Sequence, residues 1–307
     1  SWDDATPKNL IGLDFTSKPN IFLGATEISN FNNLETLNMG TQEAILALYC
    51  GNNRLTSLEI SQLSSLDTLY CAENQLSSLE VNGLSELTML DCSGNQLSNL
   101  AVSDLPSLTT LNCYNNELNS LDVSDLSNLA SLNCDVNKLS SLDVSALPNL
   151  TSLMCYNNKL SSLEVGNLLK LNNLYCYNNE LSSLNVSGLS GLMDLRCYNN
   201  QLSEVNLEGL KNLTKFYGAG NPIATFTNRE GKTLSISQEA GTIFMGLPLN
   251  EWNYENYGYN VDTNVVTLYA SEGTFEKWKF SQDVTFAENT NNKSNPVAFK
   301  LLENVNA

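Results

Sequence analysis

The stretch Leu147–Val165, LPNLTSLMCYNNKLSSLEV, decides how this chain folds. Around Cys155 it places Leu150, Leu153, Asn158, Leu160, Leu163 and Val165 at fixed offsets, and the arrangement recurs every 21 residues. Cys50, Cys71, Cys92, Cys113, Cys134, Cys155, Cys176 and Cys197 form one series at that spacing, and they are all the cysteines present. An apolar residue stands five positions before each: Ile45, Leu66, Leu87, Leu108, Leu129, Leu150, Leu171, Leu192 and, in a ninth unit, Leu213. An asparagine stands three positions after each: Asn53, Asn74, Asn95, Asn116, Asn137, Asn158, Asn179, Asn200 and Asn221. In the ninth unit Gly218 replaces cysteine and Phe216 replaces leucine, and Ile223 follows; Asn32, Leu34, Leu37 and Met39 form a degenerate opening half-unit.

A period of this length marks a solenoid, in which no coil buries its apolar face alone and stacking supplies the core. Alternation around Leu-x-Cys predicts a short strand with Leu and Cys turned inward. Strands of successive coils then pair in parallel about 4.8 Å apart. The second half, Leu-x-x-Leu-x-Val, repeats the spacing and predicts extended chain on the far side instead of a long helix.

The pattern LxxLxCxxNxLxxLxVxxL resembles the bacterial leucine-rich repeat in its 21-residue form, over about residues 31–226 and roughly nine coils. The resemblance implies a β-rich horseshoe or rod with a parallel sheet on its concave face. Its likeness to the leucine-rich repeat proteins of gut-type Bacteroidota implies export to an extracellular or cell-surface location, often as a lipoprotein whose leader and lipid anchor belong to the precursor. Residues 1–30 carry Trp2, Leu10, Leu13, Phe15, Ile21 and Phe22 outside the repeat register, which reads as an N-terminal cap. From 227 to 307 cysteine disappears, and alternating runs such as TLSIS, NVVTLYA, DVTFA and PVAFKL predict a small antiparallel β domain. There, Gly273, Thr274, Phe275, Trp278, Asn295 and Pro296 resemble the small β repeat domains of internalin-like surface proteins. The aromatic segment Asn250–Tyr259 reads as a loop, expected to pack on the last coil in preference to forming a second sticky patch.

Three uses compete for the cysteine column: a small apolar filler, a set of disulfides, or a metal site. In-register neighbours on parallel strands keep their Cβ atoms about 4.8 Å apart, whereas a relaxed disulfide needs about 3.8 Å. A line of thiols also does not converge on a tetrahedral ion. The expectation is therefore buried free thiols and no metal. The asparagine column is expected to bond backbone groups left unpaired where each coil turns.

The residues flanking each cysteine are expected to face outward from the sheet. Those columns hold Tyr49, Tyr70, Tyr114, Tyr156, Tyr175, Tyr177, Tyr198 and Tyr217, eight of the twelve tyrosines, with Arg196 among them. Tyrosine is a good strand residue, so packing alone accounts for some of this. Rigid amphipathic aromatics beside an arginine also compose a binding patch, and Tyr114, Tyr156, Tyr175, Tyr177, Arg196, Tyr198 and Tyr217 are the candidate ligand-binding residues. Asn157, Asn178 and Asn199 lie beside them. A further column, Glu59, Glu80, Asp122, Asp143 and Glu164, reads as a solvated face that blocks aggregation in preference to a calcium site.

With 33 acidic and 15 basic residues the net charge is −18, which repels nucleic acid and anionic lipid. Histidine is absent, so no His-based triad or ordinary zinc site forms, and nothing points to a cofactor. No apolar run approaches the roughly 20 residues of a membrane helix. The expected function is non-enzymatic surface recognition or adhesion, with a protein or glycan bound on the tyrosine face. The alternative is a structural spacer or surface-layer scaffold without a specific ligand, its nine coils spanning roughly 40 Å.

Overall fold

The computed structural model describes residues 11–17, 22–218 and 220–222 in full, and the backbone of six further strands between 225 and 300. The chain divides into two units, Ser1–Lys159 and Leu160–Ala307. In the first, the strands Gly24–Glu27, Ile45–Tyr49, Thr68–Tyr70, Met89–Asp91, Thr110–Asn112, Ser131–Asn133 and Ser152–Met154 pair side by side in parallel. Leu48, Leu69, Leu90, Leu111, Leu132 and Leu153 share one register row, and each is fully buried. In the second, Asn173–Tyr175, Asp194–Arg196 and Lys215–Tyr217 pair in the same way, with Leu174, Leu195 and Phe216 in the row. The fold is the leucine-rich repeat solenoid, a stack of parallel-strand coils followed by a small C-terminal β domain. No helix occurs among the described residues, so none is long and apolar enough to cross a membrane.

Each coil is built from four local decisions. The strand is three residues in most coils because the fourth position, cysteine, already begins the turn. Two residues past the cysteine the chain enters the left-handed region, at Asn52, Glu73, Gly94, Asn115, Val136, Asn157, Asn178, Asn199 and Gly220. Asparagine and glycine fill most of these places because they tolerate positive φ. The repeat asparagine then ties the turn down. Asn158 Nδ2 donates to the carbonyls of Cys134 and Cys155 at 3.1 Å, and its Oδ1 accepts from the Leu139 amide at 3.0 Å. The far side is extended chain closed by two tight turns, as in Leu147 N to Val144 O and Leu150 N to Leu147 O, both 3.1 Å.

Every cysteine is buried and outside any disulfide, in the inward slot two residues after the row of leucines. Burial pushes the Cys50 and Cys197 thiols up to about 12 and those between them well above the usual thiol range wherever a shift is resolved. Gly218 departs from the series for a steric reason. Phe216 is larger than the usual leucine, and a Cβ at Gly218 would collide with its ring.

The ladder starts earlier than the sequence suggests. Gly24–Glu27 already pairs with Ile45–Tyr49, with a register shift at Gly24/Ala25, and Gly12–Asp14 pairs in parallel with Thr36–Asn38 on the far side. Phe15 and Phe22 meet edge to face at 4.8 Å. Trp2, Leu10 and Ile21 lie outside the described residues.

Beyond the repeats, Glu204–Asn206 pairs in parallel with Thr225–Thr227, which pairs antiparallel with Thr233–Ser235. Tyr257–Asn260, Val265–Leu268, Thr285–Ala287 and Val297–Lys300 form a four-stranded antiparallel sheet. Thr233–Ser235, Val265–Leu268, Thr285–Ala287 and Val297–Lys300 lie in the alternating runs read as strands, whereas Tyr257–Tyr259, at the end of the segment expected to be a loop, are strand residues. Gly273, Thr274, Phe275, Trp278, Asn295, Pro296 and the segment 250–256 lie outside the described residues.

Candidate functional site

The candidate side chains leave the sheet from two columns, one on each side of the cysteine. In the second unit the column before it brings Tyr175, Arg196 and Tyr217 together on adjacent strands. The Arg196 guanidinium lies over both rings, 4.3 Å from the centroid of Tyr175 and 5.2 Å from that of Tyr217. It also forks onto Asp194, with Nε and Nη2 donating to the two carboxylate oxygens at 3.1 and 3.0 Å. The Tyr175 hydroxyl donates to the same carboxylate at 3.1 Å. Hydrogen bonding to Asp194 raises the Arg196 pKa further, so the group is permanently charged yet already neutralised by its neighbour. A bidentate Arg–carboxylate pair capped by aromatic faces is rigid.

The column after the cysteine supplies Tyr177 and Tyr198. Their rings stack with centroids 4.2 Å apart and planes inclined by 13°. Beside them Asn199 Nδ2 donates to Asn178 Oδ1 at 2.7 Å. The result is a flat aromatic platform next to a clamped guanidinium, all of it half-buried.

Tyr114 and Tyr156 belong to the first unit and do not touch each other in the ladder order. Asp135 stands in the coil between them, as Asn115 N to Asp135 O and Val136 N to Tyr156 O, both 3.0 Å, establish. In the same unit Tyr49 and Tyr70 approach at 6.5 Å with tilted rings.

The column after the cysteine is not uniformly exposed: Gly51, Ala72, Ser93 and Asp135 are buried. At Gly51 the reason is neighbouring bulk: the Tyr70 ring leans over it, where an added Cβ would collide. Asp135 is the odd member, a carboxylate only 1 % exposed. The position two residues past each cysteine is set by backbone conformation. Asn157, Asn178 and Asn199 are there for their backbone conformation, and the recurrence of Asn and Gly in that column was the available signal.

The acidic column on the far side is exposed. Asp122 and Asp143 accept from the amides of Ser124 and Ser145 at 3.0 and 2.9 Å, and hydrogen bonds from the side chains and amides of these serines hold both carboxyls below the usual range.

No family model and no curated protein matches this chain. Solved structures do. The functional domain of InlJ from Listeria monocytogenes, described as including a cysteine ladder, is 29% identical with a TM-score of 0.59, over 69% of this chain and 49% of that one. A leucine-rich repeat protein of Leptospira interrogans is 26% identical with a TM-score of 0.54, over 66% of this chain and 59% of that one. An internalin C2 of Listeria monocytogenes is 28% identical with a TM-score of 0.50, over 60% of this chain and 82% of that one. The chain thus spans about half the length of the InlJ structure. These neighbours are bacterial leucine-rich repeat proteins, two of them internalins.

Proposed function

We propose that this chain is a non-enzymatic recognition module of an exported bacterial surface protein, which binds a protein or glycan through the tyrosine face of its sheet. The observation that carries the reading is the pair of stacked rings, Tyr177 and Tyr198, beside Arg196 clamped between Tyr175 and Tyr217. The leucine, cysteine and asparagine columns suffice to close each coil, and nothing in the backbone requires tyrosine at these places. Aromatics already fixed by stacking lose little freedom on binding, which favours contact with a sugar ring or an apolar peptide side chain. The bacterial internalin neighbours support a recognition scaffold of this kind. Catalysis has little to work with, since burial pushes the thiols up and histidine is absent.

The reading is tested by capture on a combined array of glycans and extracellular-matrix proteins. A reproducible hit is the expected result. A blank array, with a protein that self-associates in sedimentation, would instead favour the spacer role.

A further inference from the structure

The second unit contains its own example of what this sheet face does with a cation: two tyrosine rings and a carboxylate around the Arg196 guanidinium. The first unit repeats the tyrosines and carboxylates without any cation. Its described basic residues are Arg54, Lys138 and Lys159, each four positions past a cysteine and therefore off the strand face. Lys138 is moreover paired to Glu117 at 3.2 Å.

Among the described residues, three buried side-chain polar atoms have no hydrogen-bond partner: Asn112 Oδ1 and both oxygens of Asp135. All three are acceptors, and they sit in adjacent coils of this face. Asp135 lies between Tyr114 and Tyr156 in its column, where burial raises its carboxyl and Tyr156 acts in the opposite direction, favouring the charged form. Asp91 is different. It is fully engaged by Ser93 Oγ at 2.5 Å and Asn112 Nδ2 at 2.9 Å. The surrounding field is nonetheless negative: after burial, Glu73 is the largest cause raising the Tyr114 hydroxyl, with Asp91 and Asp135 adding to it. A buried carboxylate without a partner is costly, and the group that relieves it is a donor carrying positive charge.

We propose that the sheet face around Asp135 is a second binding site, which takes the guanidinium or ammonium group of an arginine or lysine on a basic protein partner. Asp135 and Asn112 Oδ1 accept from it, while Tyr114 and Tyr156 supply the aromatic walls, after a rotamer change at either tyrosine opens the way to the carboxylate. An acidic chain, at −18, attracts such a partner from a distance. A metal ion is the weaker occupant, because no cluster of three or more metal-ligating side chains occurs among the described residues. The site concerns other residues than the Tyr177–Tyr198 platform, so either reading can fail alone.

The test uses fluorescein-labelled hexa-arginine and fluorescence anisotropy at physiological salt. Asp135→Asn is compared with Asp122→Asn, which removes the same charge from the exposed far side. A charge-assisted bond contributes roughly 1.5–3 kcal/mol, so Asp135→Asn is expected to weaken binding about tenfold or more beyond Asp122→Asn. Tyr114→Ala should weaken it about threefold to tenfold. Equal losses in Asp135→Asn and Asp122→Asn would reduce the effect to bulk electrostatics and overturn the site. So would competition by millimolar calcium chloride that vanishes in Asp135→Asn, which would assign the carboxylate to a metal.

Discussion

At the scale of single residues, two positions in one coil carry a cost that their neighbours do not. Burial raises the Asp135 carboxyl from the usual value of 3.8 to about 6, against the smaller opposing effect of Tyr156. The folded state therefore holds this proton more tightly than the unfolded chain does. Its contribution is most favourable near pH 4 and is lost as pH rises through about 6. Asp135→Asn should be more stable than the parent above pH 7, by about 1–2 kcal/mol, and the gain should shrink toward pH 4. Urea denaturation at a series of pH values reads this directly, and a gain independent of pH would mean the carboxylate is not the cause. Next to it, Val136 adopts φ 50°, where a β-branched side chain is strained. Replacement by the asparagine found in sister coils should stabilise the protein by roughly 1 kcal/mol, measured as a shift in denaturation midpoint at constant slope.

At the scale of the coil, the element that decides stability is the row of leucines and the asparagine tie. Leu132 is fully buried and paired in register with Leu111 and Leu153. Leu132→Asp places an unpaired charge in a core shared by three coils. It should unfold the surrounding array at ambient temperature, visible as loss of the cooperative circular-dichroism transition. Near-native melting would mean the inward row has been misassigned. The thiols give an independent reading of the same row. Native protein should conceal most of its eight cysteines from a thiol reagent, and protein in guanidinium should expose all eight.

This is also the scale at which the sequence was most legible. Strand, cysteine slot and asparagine turn each recur at one offset, and repetition turns a weak local signal into a strong one. Four strands after Thr225 are legible from period-two alternation, but Tyr257–Asn260 is not. What escaped was set by neighbours in space. The burial of Asp135 and Gly51 depends on which side chain the next coil places above them, and the start of the ladder at Gly24 depends on backbone pairing without a repeat leucine. The tyrosine columns could be read, but the stacking of Tyr177 on Tyr198 and the clamp on Arg196 follow from rotamers that no spacing encodes.

At the scale of the whole molecule, the repeats present a strand face that we propose as the working surface. The central claim is that the Tyr177–Tyr198 platform contributes to binding and not to folding. The most direct measurement compares wild type with Tyr177→Ala/Tyr198→Ala for affinity toward the array hit, alongside the melting temperature of each. Aromatic anchors typically cost 2 kcal/mol or more when truncated, so a loss of about thirtyfold or greater is predicted. The melting temperature should move by no more than about 3 °C. Unchanged affinity would contradict the claim and leave these tyrosines as strand formers.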